Sequence, residues 1–116
     1  MDLYHIWCDL AQGVGDLEFC RNLEAYLGRL RSEKKLETYR ITRKKLGLAP
    51  AHLGEFHIVI ETRDLEQLEQ AFQRVATREG EVEGLHAAVN QAVRNATFAL
   101  YRDFPDSIRE EGEERF

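Results

Sequence analysis

Residues Asp2–Leu10, DLYHIWCDL, alternate between two chemically different sets of side chains, which is the pattern of a β-strand with two distinct faces. One set is apolar and predicts a face turned towards a core. The other set combines an imidazole, an indole and a carboxylate, and it is the first indication of where a site would lie. The apolar set is Tyr4, Ile6, Cys8 and Leu10, and the mixed set is Leu3, His5, Trp7 and Asp9.

The composition is that of one folded domain without a membrane span. The chain has 116 residues, which predicts a single domain over residues 1–106 and an acidic tail over 107–116. No run of about 18 apolar residues is present, and the first residues lack the pattern of a secretory signal. The two cysteines therefore favour free thiols in the cytoplasm. A net charge of −5 argues against nucleic acid as a partner.

Periodicity and capping residues predict the elements that follow the first strand. Apolar residues recur at helical spacing after Asp16, which we interpret as an N-cap, and again after Asp64, which Gln67 follows at the capping-box position. The predicted elements are, in order, a helix over 16–34, strands over 36–45 and 55–62, a helix beginning after Asp64, and a third helical pattern over 82–93.

The segment 96–104 fits two structures. Its apolar residues continue the preceding helical stripe, but Phe98 and Leu100 also alternate with Ala99 and Tyr101 as in a closing strand. With a strand here, the order βαββαβ predicts an α+β, ferredoxin-like antiparallel sheet with helices on one face. The first and third strands are neighbours in this topology, so His5 and His57 should project side by side. The uncovered mixed face then predicts a homodimer, in which a second sheet closes a barrel.

Four sequence motifs carry a family resemblance over nearly the whole chain. YHIWCDL (4–10), ITRKKLGL (41–48), LGEFHI (53–58) and ALYRDFPD (99–106) resemble a family of small uncharacterised bacterial proteins. That family is similar in architecture to the dimeric α+β-barrel superfamily. The resemblance implies a ferredoxin-like homodimer. The superfamily includes cofactor-free monooxygenases, lyases, isomerases, haem-binding enzymes and proteins without known activity, and no catalytic residue of any branch matches a position of this chain.

The pair His5 and His57 is the sharpest candidate for chemistry. Two imidazoles inside a barrel can perform acid–base catalysis near neutral pH, or can bind a metal together with Glu61 or Asp9. Alternatively, the two side chains satisfy each other, or a carboxylate, at a partly buried dimer interface. No metal is predicted, because no HxH or HExxH spacing accompanies the pair.

A second group of polar and aromatic residues is predicted to line the same barrel interior. Arg40 would stabilise negative charge on a carboxylate or enolate, or else form a salt bridge at the rim. Trp7 would line the wall or pack in the interface. The predicted ligand-binding residues are Trp7, Asp9, Thr42, Glu61 and Tyr101, while His52 and His86 are interpreted as surface residues.

These observations favour a protein that binds a small anionic or aromatic molecule in the barrel interior. Enzymatic chemistry, where present, would be cofactor-independent oxygenation, isomerisation or lyase-type cleavage, with His5, His57 and Arg40 as catalytic residues. The alternative is a non-catalytic ligand-binding or dimeric interaction protein. No flavin, nicotinamide or nucleotide fingerprint is present, so no cofactor is predicted.

Overall fold

The computed structural model describes residues 1–77, 80–105 and 111–112. Four strands form one antiparallel sheet in the order β2-β3-β1-β4, and three helices pack on one of its faces. This is the predicted ferredoxin-like topology with one additional helix before the last strand. The strands are β1 (Asp2–Leu10), β2 (Thr38–Arg43), β3 (Phe56–Thr62) and β4 (Val93–Arg102), and the helices are α1 (Asp16–Ser32), α2 (Leu65–Ala76) and α3 (Gly80–Ala92).

The first strand lies at the centre of the sheet and pairs on both sides. It pairs antiparallel with β3, with Ile6 opposite Ile58, and with β4, with Ile6 opposite Phe98. The second pairing settles the structure of segment 96–104, which is a strand as far as Arg102. A bulge in β4 at Asn95, whose φ is 56°, shifts the register between Trp7 and Asp9.

Several predicted element boundaries need correction, including the end of the third helical pattern, since Val93 begins β4. Asp16 does not cap α1: the N-cap is Gly15, and the Asp16 carboxylate accepts a hydrogen bond from the adjacent Leu17 N–H at 2.7 Å and pairs with Arg43 at 2.8 Å. The helix ends at Ser32 and β2 is shorter than predicted, because the chain turns between them. The Asp64 cap is confirmed, since its carboxylate accepts a hydrogen bond from the Gln67 N–H at 2.9 Å.

The hydrophobic core lies between the sheet and the helices. Phe19, Leu23 and Leu27 of α1 are buried against Ile58 of β3 and Cys8 of β1. The apolar face of β1 is therefore turned towards the core as predicted. None of the described helices is long and apolar enough to cross a membrane. The predicted acidic tail over 107–116 lies outside the described residues, except for residues 111–112.

Glycine is required where the loop before β3 crosses β1. A Cβ added at Gly54 would lie 2.5 Å from the carbonyl carbon of Cys8 and 2.6 Å from its nitrogen. These are backbone atoms that cannot move independently of the strand. Only glycine permits this close approach.

Candidate functional site

The face of the sheet opposite the helices carries the side chains that the sequence singled out. The strand register places them in adjacent rows, because residues directly opposite each other share a face. Trp7 is opposite His57 on β3 and Thr97 on β4, and His57 is in turn opposite Thr42 on β2. We call this surface the open face. Its remaining members are Leu3, His5, Thr38, Arg40, Val59, Glu61, Ala99 and Tyr101.

Four aromatic rings form a cluster on the open face. His5 Nδ1 and His57 Nε2 are 2.9 Å apart, so one ring donates a hydrogen bond to the other. Trp7 stacks on His57 with ring centroids 4.6 Å apart and on His5 at 5.5 Å, while Tyr101 contacts His5 edge-on at 4.9 Å. The predicted proximity of the two histidines is observed. We call these four residues the histidine cluster.

Burial lowers the pKa of both histidines below the ordinary value for imidazole. For His57 the nearby His5 lowers the pKa further, because two imidazolium charges at this distance repel each other. The neutral pair is therefore the favoured state. A hydrogen bond between two imidazoles needs one donor and one acceptor, which the neutral pair supplies and the doubly protonated pair does not.

The other predicted site residues of the open face are less closely gathered. Thr42 donates a hydrogen bond to the backbone carbonyl of His57 at 2.9 Å. Arg40 is exposed, and neither Arg40 nor the Glu61 carboxylate has a hydrogen-bond or ion-pair partner among the described residues. Asp9 accepts hydrogen bonds from the Glu55 N–H at 3.0 Å and from the Asn95 amide at 3.3 Å, and these bonds lower its pKa.

A cavity lies on the opposite side of the sheet, between the strands and all three helices. Its volume is about 570 Å³, which is within the range of small-molecule sites. Aromatic rings form much of its wall: Tyr4 stacks on Phe98 at 6.0 Å and meets Phe72 edge-on at 5.5 Å. None of the predicted site residues of the open face lines this cavity.

The polar groups of the cavity come mainly from α1 and α3. Glu83, His86 and Asn90 follow one another at helical spacing on α3 and line the cavity with Tyr26 of α1. The ring centroids of His86 and Tyr26 are 5.5 Å apart. Burial and the neighbouring Tyr4 raise the pKa of Tyr26 to about 12, so its hydroxyl keeps its proton and can donate a hydrogen bond.

His52 is exposed as expected, whereas His86 is only partly exposed and also lines the cavity. A polar stripe at helical spacing usually faces solvent. Nothing else in the sequence around Tyr26, His86 and Asn90 indicates that these residues line a cavity. Only the packing of α3 against α1 turns this stripe towards the partly open cavity.

Metal-ligating side chains are scattered over the described ranges. They contain no group of three or more histidine, cysteine, aspartate or glutamate side chains arranged to hold an ion. His5 and His57 each use one ring nitrogen for the hydrogen bond between them. Cys8 is buried, and burial together with the neighbouring Asp9 raises the pKa of its thiol to about 11, which disfavours the thiolate that binds metals.

The chain belongs to a family of unknown function, DUF6614, whose model matches residues 1–116. No curated protein sequence matches it. The family assignment agrees with the resemblance seen in the sequence motifs.

Solved structures share the fold at low sequence identity. Protein At3g17210 from Arabidopsis thaliana has a TM-score of 0.71 at 9% identity, covering 93% of this chain and 100% of that one. SnoaB from Streptomyces nogalater, described as a cofactor-independent oxygenase, has a TM-score of 0.64 at 6% identity, covering 93% and 98%. A dimeric ferredoxin-like protein of unknown function from Jannaschia sp. CCS1 has a TM-score of 0.62 at 13% identity, covering 89% and 100%.

Proposed function

We propose that this protein is a homodimer whose chains each bind a small, flat, largely apolar molecule in the cavity between sheet and helices. The observation that carries the proposal is the cavity of about 570 Å³, apolar over most of its wall and polar at one set of positions on α1 and α3. Ligand sites characteristically combine a large apolar surface with a few polar groups that fix orientation.

The lining favours an aromatic ligand over an anionic one. Tyr4, Phe72 and Phe98 offer ring faces and edges to a planar molecule. Lysine and arginine are absent from the described lining residues, while Glu83 is present, so a carboxylate or phosphate would enter without a compensating charge. Tyr26 and His86 can hydrogen-bond a hydroxyl or carbonyl group of the ligand.

The homodimer is proposed from two features. The open face presents apolar and aromatic side chains that the chain's own helices leave uncovered, and the Jannaschia protein of the same fold is described as dimeric. The cytoplasm is the proposed compartment, because Cys8 and Cys20 are both free thiols.

The test uses a neutral bicyclic aromatic alcohol, 2-naphthol, titrated into the protein by calorimetry. Ala87 lines the cavity, whereas its neighbour Ala88 is exposed and does not. We expect the wild type to bind 2-naphthol. The dissociation constant of Ala87→Leu should be at least about tenfold larger, which corresponds to a loss of about 1.4 kcal/mol in binding free energy, and that of Ala88→Leu should be unchanged. Equal binding by both variants would contradict the proposed site. Native mass spectrometry of freshly purified protein would in addition identify any retained molecule.

The second candidate function is cofactor-independent catalysis on the bound molecule. It is supported by an imidazole, that of His86, which lines the cavity beside the Tyr26 ring. His5, His57 and Arg40, proposed from the sequence as catalytic residues, lie on the other face and would require a ligand held between two subunits.

The experiment for catalysis begins with the molecule identified by mass spectrometry. It is incubated with enzyme in air-saturated buffer, and its mass is followed with time. We expect His86→Leu to stop turnover while binding persists, with His52→Leu as the exposed control. A molecule recovered unchanged from the wild type would leave binding alone as the function. Turnover lost in His57→Gln and kept in His86→Leu would instead support the residues of the open face.

A further inference from the structure

The hydrogen bond between His5 and His57 can form only while at least one of the two rings is neutral. Their nitrogens are 2.9 Å apart, and the stacked Trp7 ring restricts the movement of both. A second proton on the pair would remove the acceptor and place two like charges in contact. The histidine cluster therefore has a geometry that acidification can break.

The open face around this pair has the size and character of an interface. Four strands of six to ten residues, spaced about 4.8 Å apart, span roughly 400 Å² in projection. This is of the same order as the roughly 800 Å² that each partner contributes to a standard interface. Leu3, Val59 and Ala99 surround the cluster with apolar groups.

The charges of the open face favour a second copy of this chain as the occupant. Arg40 and Glu61 are of opposite sign, and in the described part of the chain neither the Arg40 guanidinium nor the Glu61 carboxylate has a hydrogen-bond or ion-pair partner. A surface with one unpaired cation and one unpaired anion is complementary in charge to a copy of itself.

We propose that the open face binds a second copy of this chain through the histidine cluster and releases it when the His5–His57 pair becomes doubly protonated. The proposal rests on the homodimer proposed above and on the surface named there, and it adds the control of that interface by pH. Association buries both pairs further, so protons bind preferentially to the separated chains. The interface is then stable above the pKa of the free histidines and is lost as the pH falls below it.

Among the described residues, no carboxylate forms a hydrogen bond or ion pair with His5 or His57 that would offset their protonation. The Asp9 carboxylate is already held by Glu55 and Asn95. Besides the two histidines, the titratable and charged groups of the open face are Arg40 on β2, Glu61 on β3 and Tyr101 on β4. Asp9 of β1 and Arg94 of β4 lie opposite each other beyond the register shift that follows Trp7.

The test is sedimentation velocity of the full chain from about pH 7.5 to about pH 5.5. We expect a dimer at the higher pH and a dissociation constant at least about tenfold larger at the lower one. The double variant His5→Asn, His57→Gln keeps a donor and an acceptor near the positions of Nδ1 and Nε2, so it should remain dimeric at both pH values. His52→Gln, which changes an exposed histidine, should behave as the wild type.

A second pair of variants identifies the surface. Val59→Lys places a charge in the middle of the open face and should give a monomer at pH about 7.5. Leu17→Lys, on an exposed position of α1, should remain a dimer. If the wild type were still an equally stable dimer at pH about 5.5, only the proposed control by pH would be wrong. If Val59→Lys were dimeric, the open face would not be the interface. A wild-type monomer would overturn the homodimer as well, while binding of 2-naphthol is measured independently.

Discussion

Filling the cavity should stabilise the ligand-free protein. In Ala87→Leu, three additional carbon atoms enter a space of about 570 Å³ that no side chain occupies. At about 0.8 kcal/mol for each buried CH₂ group, they contribute roughly 2.4 kcal/mol. Ordering the leucine side chain costs about 0.5–1 kcal/mol. Because alanine and leucine have similar helix propensities, the free energy of unfolding should rise by about 1.5–2 kcal/mol.

The assay is urea-induced unfolding of wild type, Ala87→Leu and Ala88→Leu at one protein concentration, so that association affects all three equally. The exposed control should stay within about 0.5 kcal/mol of the wild type. A well-packed region responds oppositely to an enlarged side chain, losing about 1–3 kcal/mol. A loss of that size in Ala87→Leu would therefore show that side chains fill the space in solution, and the argument for a ligand cavity would fail.

Three further predictions concern the scaffold. Gly54→Ala should lower the free energy of unfolding by about 2–4 kcal/mol, because its Cβ would lie 2.5 Å from the Cys8 backbone. Gly28→Ala, in a helix where the nearest atom would lie 3.8 Å from the added Cβ, should raise the free energy of unfolding by about 0.5–1 kcal/mol. If urea unfolding showed Gly54→Ala to be more stable than Gly28→Ala, the close approach of Gly54 to the Cys8 backbone would be contradicted. Asp64→Ala removes the N-cap of α2 and should lower the free energy of unfolding, measured with urea, by about 1 kcal/mol. An unchanged free energy of unfolding would mean that the cap is dispensable. Burial raises the pKa of Cys8 from 9.0 to about 11. The contribution of its protonated thiol to the free energy of unfolding is therefore fully present below pH 9 and is lost as the pH approaches 11. The unfolding free energy of the wild type should thus fall more steeply over this interval than that of Cys8→Ala, and parallel curves would refute the assignment.

The strands could be predicted from the sequence because their alternation is strong. The bounds of β1 were correct, since its two faces differ in every residue and a slip by one position would exchange them. The adjacency of His5 and His57 followed from topology alone. The segment 96–104 remained open because two periods fitted it, and only its pairing with β1 distinguishes them.

The cavity could not be predicted, because it is a property of how the elements pack. Tyr26 and His86 are 60 residues apart in the chain, and each lies on a helix whose sequence is compatible with a solvated polar stripe. What brings them together is the packing of α3 against α1. Sequence periodicity contains no information on the gap that remains between these helices and the sheet.

The two proposed sites depend on one structural variable, the register of β1. Tyr4 of this strand faces the cavity and its neighbour His5 faces the open face, so a one-residue slip would exchange them and abolish both sites. The register is fixed at one end of the strand by Asp9, which accepts hydrogen bonds from the Glu55 N–H and the Asn95 side chain. Asp9 has no contact with the histidine cluster among the described interactions, yet by holding β1 against both flanking segments it keeps each face turned towards its own partner.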